Sequence, residues 1–339
     1  MHAAVVIPFR SRGDHSLLAW TLDGYQRQQV APGHSFEVFV GFDGSESQVD
    51  LPGDGPVPVH GHTFSWMGAP AVRNALVRET SNATDLLIFG NADARPFPDM
   101  VQCHLETMAT LPPRSMVLGS APREAFAVST VFDALVDETP MVFAYSRMQP
   151  RAWYDFTHGW TVNISVRRQD FLDAGGFYDK IRPLFYEDLS LAQRVVGRRP
   201  GIWYEPSARV LHRHRMTLEE YLDREELLGL MAPTLQRVDP ETFAHLFGPN
   251  DNASAVIRAW LQLDRAIYRE MFGALKEWAA LPQEALGGDR PRMLRTLFAM
   301  HLPLKRLAFR VGFLEGPKFA DDSLWKSRRP LGLWRAFLT

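Results

Sequence analysis

Residues 36–43 read FEVFVGFD, a nearly continuous apolar run that ends at an aspartate. Two more runs have this character, AAVVI at residues 3–7 and DLLIFG at residues 85–90. Helical patterns separate the three runs, at residues 15–29 and 69–79. Continuous apolar strands that alternate with helices predict an α/β fold, a mainly parallel twisted sheet flanked by helices. Ligands of such sheets bind beyond the carboxyl ends of the strands, where this chain places polar residues.

Composition limits the possible functions of the 339 residues. The formal net charge is -2, which gives no reason to expect a nucleic-acid partner. One cysteine is present, so an internal disulfide and a sulfur-rich zinc site are excluded. Apolar runs stay well below the ~18 residues that a membrane-spanning helix needs. A soluble, cytoplasmic protein is therefore predicted, and contact with the inner face of the membrane is left open.

The pattern of the chain changes near residue 215, which predicts an α/β domain over residues 1–215 and a helical region over 216–339. Within the second region, apolar residues recur every three or four positions and predict a helix over residues 253–280. The stripe consists of Val256, Trp260, Leu263, Ile267, Met271, Leu275 and Trp278. Three roles are open for this stripe: packing within the chain, a cover over a bound ligand, or a homodimer surface.

Residues 301–339 combine basic and aromatic side chains. They contain eight Lys or Arg and three acidic residues. These charged residues are interleaved with Phe309, Phe313, Trp325, Leu331, Leu333, Trp334 and Phe337. Such a mixture suits contact with an anionic membrane surface. The alternative interpretation is that the aromatic residues anchor the tail on the folded protein.

The segment from residue 161 to residue 214 predicts a polar reaction centre. It contains Asn163, a glycine pair at residues 175–176, the carboxylate pair Glu187-Asp188 and finally His212. The carboxylates begin a helical pattern, and the positive end of a helix dipole favours an ionised carboxylate. A helix N-cap is the alternative role for Asp188.

Polar motifs in the first hundred residues point to a nucleotide site. They are VVIPFRSR at residues 5–12, DGS at 43–45, GAPAVRN at 68–74 and NAD at 91–93. A strand-end carboxylate can accept an N–H from a base, and a helix start with an arginine suits a diphosphate. Each motif also has a simpler interpretation, as a turn or, for Arg73, as a solvated surface residue.

Taken in order, these motifs resemble the inverting family 2 glycosyltransferases of the GT-A, or nucleotide-diphospho-sugar transferase, type. The resemblance covers about residues 3 to 215. It implies a GT-A fold, a nucleotide-sugar donor, a Mn²⁺ or Mg²⁺ ion and inversion at the anomeric carbon. The acceptor would be a hydroxyl on a glycan, a lipid-linked sugar or a peptide, and a UDP-sugar is the favoured donor.

The resemblance also assigns roles by position. Asp188 is the expected general base, and Glu187 positions donor or acceptor. The expected donor-binding residues are Pro8, Arg10, Asp43, Arg73, Asn91 and Asp93. The expected metal ligands are Asp93 and His212, with His214 as a competitor for the second. The expected acceptor or supporting residues are Asn163, Gly175, Gly176 and Arg194.

Two positions depart from the family pattern. Phe42 stands where the family often has the first aspartate of its turn, and Asn91 stands where it usually has an acidic metal ligand. These departures keep a second hypothesis open, a non-catalytic relative that binds a nucleotide sugar or a glycan. A third hypothesis, a sugar nucleotidyltransferase that shares the layered fold, lacks support because this chain has no Gly-rich Lys/Arg signature near its first strand.

Overall fold

The structure, a computed structural model, describes residues 1–10, 13–44, 51, 55–179, 185–248, 265–316 and 332–338. The chain divides into two compact units. The first consists of Met1–Glu124 and Met148–His214, and the second of Ala125–Arg147 and Arg215–Thr339. A single boundary at residue 215, as predicted from the sequence, therefore misses the segment of residues 125–147.

The first unit is built on one twisted sheet. Its described strands are β1 (His2–Arg10), β2 (Ser35–Asp43), β3 (Val59–Phe64), β4 (Leu86–Gly90), β5 (Ala94–Pro96), β6 (Met116–Ser120), β7 (Trp153–Tyr154), β8 (Asn163–Arg167) and β9 (Ile202–His212). They follow the order β3-β2-β1-β4-β8-β6-β9-β5, and β7 pairs with β9. The α/β class predicted from the sequence is confirmed.

The sheet is parallel on one side and mixed on the other. β1, β2, β3 and β4 pair in parallel, as their buried apolar runs predict. β8 lies antiparallel between β4 and β6, and β5 and β7 run antiparallel to β9. The predicted mainly parallel arrangement therefore holds for β1 to β4. The carboxyl ends of these neighbouring strands meet at one edge of the sheet.

Helices flank this sheet. They are α1 (His15–Gln26), α2 (Ala69–Glu79), α3 (Met100–Thr110), α5 (Arg168–Asp173) and α6 (Glu187–Val196). α2 has the predicted bounds and packs on β1 and β2, while α3 packs on β6, β8 and β9. Because parallel strands need cover on both faces, these helices complete the core.

A buried polar cluster joins the centre of the sheet. His104 on α3 contacts Ser165 through Nδ1 at 2.8 Å and the Asn163 side-chain oxygen through Nε2 at 2.9 Å. The Asn163 amide donates to the carbonyls of Ala208 at 2.7 Å and Ser120 at 3.1 Å. Burial lowers the pKa of His104 to about 4, so the imidazole is neutral at pH 7. Asn163 therefore joins strands β6, β8 and β9.

The second unit is helical in its described part. Its helices are α4 (Val131–Glu138), α7 (Leu218–Val238), α8 (Pro240–Phe247), α9 (Arg265–Ala280), α10 (Arg290–Glu315) and α11 (Leu333–Leu338). α4 belongs here because Val131, Phe132 and Leu135 are buried in the same core as Tyr221 and Leu304. The hydrophobic face of α4 explains why the segment of residues 125–147 is part of the second unit.

Most of the described part of the predicted stripe on α9 faces the core, because Leu275 is buried and Met271 and Trp278 pack against the same core. Tyr268, Leu275 and Ala279 are buried, whereas Ile267 is 57% exposed. The part of the predicted helix over residues 253–264 lies outside the described residues. Since Leu275 packs into the core of its own unit, this part of the stripe serves internal packing.

The described aromatic residues near the C-terminus pack within the second unit. Trp334 is 1% exposed, and its backbone N–H donates to Glu226 at 3.0 Å while its indole N–H donates to Asp223 at 2.8 Å. These contacts agree with the interpretation that the aromatic residues anchor the tail on the folded protein. Trp325 and Leu331 lie outside the described residues. None of the helices in the described ranges has the length and apolarity to span a membrane.

α7 and α10 approach closely at two glycines. A Cβ atom on Gly229 would lie 1.9 Å from the carbonyl oxygen of Phe309. A Cβ atom on Gly312 would likewise lie 1.9 Å from the carbonyl oxygen of Glu226. Each helix therefore has a glycine where the backbone of its partner passes, which leaves no room for any side chain.

Candidate active site

The carboxyl ends of the parallel strands place the predicted donor residues at one edge of the sheet. Arg10 and Asp43 are register partners at the ends of β1 and β2. Pro8 is half-buried near the end of β1, whereas Arg10 is exposed. Asn91 follows the end of β4, the other parallel neighbour of β1. The edge predicted for ligand binding therefore carries these four residues together.

Asp43 fixes the loop that leads into α2. The residue is 8% exposed, and its carboxylate accepts the backbone N–H of Met67 at 2.7 Å and that of Gly68 at 3.0 Å. Each carboxylate oxygen can accept a further hydrogen bond, so these contacts leave Asp43 able to bind an N–H of a nucleotide base. Recognition of a base by Asp43 stays a prediction. The predicted turn extends to Ser45, which lies outside the described residues.

Arg73 connects two predicted motifs. The residue is 3% exposed; its Nη1 lies 3.4 Å from Glu187 Oε1 and its Nη2 donates to Asn91 Oδ1 at 3.3 Å. Its guanidinium also lies 5.5 Å from the ring centre of Phe177. The interpretation as a solvated surface arginine is wrong, because this part of α2 packs against the sheet. Arg73 joins the carboxylate pair to the loop after β4.

The carboxylate pair begins α6 in an unusual backbone conformation. Tyr186, the residue before the helix, has φ 71°, and Phe185 has φ 84°. Bulky residues rarely adopt this left-handed region, and such strain concentrates at functional sites. Tyr186 is the N-cap residue and makes no side-chain capping hydrogen bond. Asp188 is the second residue of the helix, and its carboxylate accepts the N–H of Leu189 at 2.8 Å. The N-cap role for Asp188 is therefore wrong.

Burial dominates the electrostatics of the pair. Glu187 is 4% exposed, and burial and the neighbouring Asp188 raise its pKa to about 7 although Arg73 opposes this. Burial also raises the pKa of Asp188, against the lowering effects of the Leu189 N–H, Arg73 and the Thr161 N–H. The predicted effect of the helix dipole is thus outweighed, and Arg73 is the cation that favours ionisation of both carboxyls.

Two polar atoms at this centre retain bonding capacity. Arg73 Nε and Glu187 Oε2 are buried and have no hydrogen-bond partner among the residues that the structure describes. Buried polar atoms are usually paired, and exceptions call for a specific explanation such as a bound water, an ion or a catalytic role. Each of these two atoms can therefore form one more hydrogen bond, with water or with a bound ligand.

Asp93 lies beside two histidines. Ala94 and His212 are register partners of β5 and β9, which brings His212 Nε2 to 3.4 Å from Asp93 Oδ1. His214 Nδ1 lies 3.8 Å from the other oxygen, and the two imidazoles stack with ring centres 5.6 Å apart. Burial alone would raise the pKa of Asp93, but hydrogen bonding and charge from His212 and the charge of His214 lower it.

Asp93 and His212 can be tested as metal ligands by their arrangement. In the described ranges, no group of three or more His, Cys, Asp or Glu residues is arranged to hold a metal ion. Asp93 and His212 nevertheless present an oxygen and a nitrogen 3.4 Å apart. A Mg²⁺-like ion commonly takes one or two protein ligands and completes its shell with phosphate oxygens and water. The donor set fits an ion that binds together with a diphosphate.

The glycine turn contacts both α2 and the last turn of α6. Gly175 and Gly176 have φ values of 77° and 69°, so both adopt the left-handed conformation that glycine tolerates. Asn74 receives the N–H of Phe177 at 2.9 Å and donates to its carbonyl at 2.8 Å. The Arg194 guanidinium donates to the carbonyl of Ala174 and lies 3.9 Å from the ring centre of Tyr178. In these contacts the turn and Arg194 act as supporting residues.

Three features of the site were not predicted from the sequence. The backbone N–H of Thr161 reaches Asp188, an interaction that no side-chain pattern reveals. Asn74 was quoted within its motif but its link to Phe177 was not foreseen. The rings just before Thr161 were also not predicted as part of the site, although Tyr154, Phe156, His158 and Trp160 occupy every second position of the sequence.

Comparison with known proteins gives structural similarity only. No family model matches the chain, and no curated protein matches it significantly. The chain is similar to residues 1–349 of S. aureus TarS, with 12% identity, a TM-score of 0.48, and coverage of 95% of this chain and 92% of that one. The same TarS segment in complex with UDP-GlcNAc gives 12% identity, a TM-score of 0.48, and coverage of 95% and 93%.

GalNAc-T7 with UDP, GalNAc and Mn²⁺ is similar at 13% identity and a TM-score of 0.47, over 72% of this chain and 53% of that one. At these identities and scores, the chemistry of the site has to be derived from the residues of this chain.

Proposed function

We propose that the chain is an inverting glycosyltransferase of the GT-A type that moves a sugar from a nucleotide-diphosphate sugar to a hydroxyl acceptor. The acceptor is a glycan, a lipid-linked sugar or a peptide, and a UDP-sugar is the favoured donor. One observation carries the proposal: buried Arg73 contacts both Asn91, at the donor edge of the sheet, and Glu187, next to the proposed base.

The proposed reaction uses Asp188 as general base. The acceptor oxygen attacks the anomeric carbon while its proton passes to the Asp188 carboxylate. The bond between that carbon and the diphosphate oxygen breaks, and its electron pair leaves with the nucleoside diphosphate. Arg73 and the N–H groups of Leu189 and Thr161 favour the ionised form of Asp188 that this step requires. Glu187 holds Arg73 in place.

Asp93 and His212 would hold the divalent ion, Mn²⁺ or Mg²⁺. Bound there, the ion would neutralise charge on the diphosphate. Asp43 and Arg10, at the same edge, are proposed to contact the nucleotide. The alternative of a non-catalytic binding protein has less support, because burial of the Glu187-Asp188 pair is costly and a binding module gains nothing from it.

The donor is identified by nucleotide release from UDP-, GDP- and dTDP-sugars with Mn²⁺, Mg²⁺ or a chelator. We expect slow release from one donor, with suppression by chelator. Asp93→Ala should weaken UDP binding about tenfold or more in the presence of Mn²⁺, because it removes the carboxylate ligand. Calorimetry of UDP with and without Mn²⁺ measures this effect.

Asp23→Asn, on the exposed part of α1, is the control and should bind UDP as the unmodified protein does. The proposal fails if none of the three nucleotides binds. The metal assignment fails if Asp93→Ala and a chelator both leave UDP binding unchanged.

Arg73→Met should shift the pH dependence of transfer. The pKa of Asp188, the proposed base, is raised by burial, and Asp188 becomes ionised only as the pH increases through that pKa, so transfer should rise across an acidic limb that lies above the usual range of an aspartate. Loss of the Arg73 cation removes the group that lowers both carboxyl pKa values, so the limb should move by about one unit or more to higher pH.

The measurement is the transfer rate from pH 5 to pH 9, with melting temperature as a check of folding. Arg73→Lys is the matched variant, because it keeps the charge and should shift the limb less. An unchanged limb in a folded Arg73→Met protein would contradict the assigned role of Arg73.

A further inference from the structure

Three aromatic rings form a row in the first unit. The ring of Tyr154, on β7, lies 4.7 Å from that of His158, measured between centres. The ring of His158 lies 5.3 Å from that of Trp160. All three side chains are half-buried, so each is fixed by its surroundings and retains exposed surface. The row therefore retains ring surface that a ligand can contact.

Polar contacts hold this row in place. The Asp155 carboxylate accepts the N–H of Thr157 at 3.0 Å and lies 3.2 Å from His158 Nδ1. The hydroxyl of Tyr154 accepts the N–H of Gln149. The rings are therefore fixed before any ligand arrives, and Asp155 adds hydrogen-bonding capacity beside them because its side chain is 56% exposed.

The row ends at the proposed base. Trp160 is followed by Thr161, whose backbone N–H bonds to the Asp188 carboxylate. On the other side of Trp160, a Cβ on Gly159 would lie 2.4 Å from Ala192 and 3.5 Å from the Asp188 carbonyl oxygen. The chain on both sides of Trp160 therefore contacts α6, which places Trp160 next to the residue that receives the acceptor proton.

We infer that Tyr154, His158 and Trp160 bind the ring face of a sugar in the acceptor, an assignment that rests on the proposed transferase function. A pyranose has an apolar C–H face that covers an aromatic ring, and hydroxyl groups at its rim that bond to groups such as His158 and Asp155. This combination suits an acceptor built from sugars better than a fully apolar lipid chain.

Trisaccharide binding tests the inference directly. The probes are chitotriose, cellotriose and maltotriose, measured by saturation-transfer NMR on the full chain in the presence of UDP. At least one probe should bind, and Trp160→Leu should weaken its binding about tenfold or more by removing the aromatic surface. Trp160→Phe, which keeps a ring, should restore most of the binding.

Trp153→Leu is the matched control. Trp153 and Tyr154 are consecutive residues of β7, so their side chains point to opposite faces, and Trp153 packs on Trp203 with ring centres 5.2 Å apart. It is 37% exposed, and its replacement should leave trisaccharide binding unchanged. Melting temperature and UDP calorimetry verify that each variant is folded.

The results distinguish failure of the sugar-binding row from failure of the proposed transferase function. If no trisaccharide binds, or if a folded Trp160→Leu protein binds as tightly as the unmodified chain, the sugar-binding row is disproved. Equal weakening by Trp153→Leu would also overturn it, because the effect would then not be specific to the row. Absence of nucleotide binding instead counts against the proposed transferase function, whatever the trisaccharides do.

Discussion

Asp188→Asn should reduce sugar transfer by about 10³-fold or more while leaving binding of the nucleotide-sugar donor unchanged. The amide has nearly the same shape as the carboxylate, but it cannot accept the acceptor proton. The N–H of Leu189 can still donate to the side-chain oxygen of the variant, which preserves this contact in the first turn of α6. Loss of rate without loss of donor affinity is the signature of a group that acts in the transition state.

Rates of transfer and donor calorimetry should be measured on the same preparations. Asp170→Asn is a useful control, because Asp170 also accepts a backbone N–H, that of Arg114 at 2.8 Å, but lies on α5. We expect its transfer rate to stay within about twofold of normal, as for a substitution away from the reacting groups. Full transfer by the Asp188→Asn protein would eliminate Asp188 as the base.

Gly229→Ala and Gly312→Ala should each destabilise the second unit by about 3 kcal/mol or more. The added methyl group would lie 1.9 Å from a backbone carbonyl oxygen in either case, which no side-chain rotation can relieve. The helices must move apart, and this separation would open the core that Leu304 and Leu307 share with α7. A large loss is expected because backbone, rather than a flexible side chain, lies in the way.

Gly273→Ala is the matched control on α9 of the same unit. A Cβ there has no neighbour within 4 Å, so the substitution should stabilise by about 0.5 to 1 kcal/mol through helix propensity alone. Urea unfolding followed by circular dichroism compares the three variants. Equal stability of Gly229→Ala and Gly273→Ala would show that α7 and α10 do not approach as described.

The parts of the fold that follow from sequence are those with a strong local signal. β1, β2 and β4 are continuous apolar runs, and α2 follows Gly68 with Pro70 in its first turn. β3 was missed because its residues, VHGHTF, alternate between polar and apolar and include a glycine. β5 is three residues long and depends on pairing with β9, which no local pattern encodes.

The residue types of the site could be predicted from the sequence, but the burial and the contacts of those residues could not. The carboxylate pair and the loop at residues 91–93 were identified, yet the role of Arg73 depends on burial between elements distant in sequence. Whether the pKa of Asp188 is raised or lowered depends on the balance between burial and the effects that favour its ionised form. Only the packed structure reveals how deeply the carboxyl is buried. The positive φ of Tyr186 was equally invisible, since aromatic residues rarely adopt it.

The segment of residues 125–147 determines how the protein can be dissected. A fragment that stops at residue 215 would retain α4 but lose α7, α9 and α10, the helices that bury Val131, Phe132 and Leu135. Those side chains would meet water, and the fragment would be prone to aggregate. Expression of the sheet-containing half by itself therefore calls for an internal deletion with a short designed linker, rather than a simple truncation.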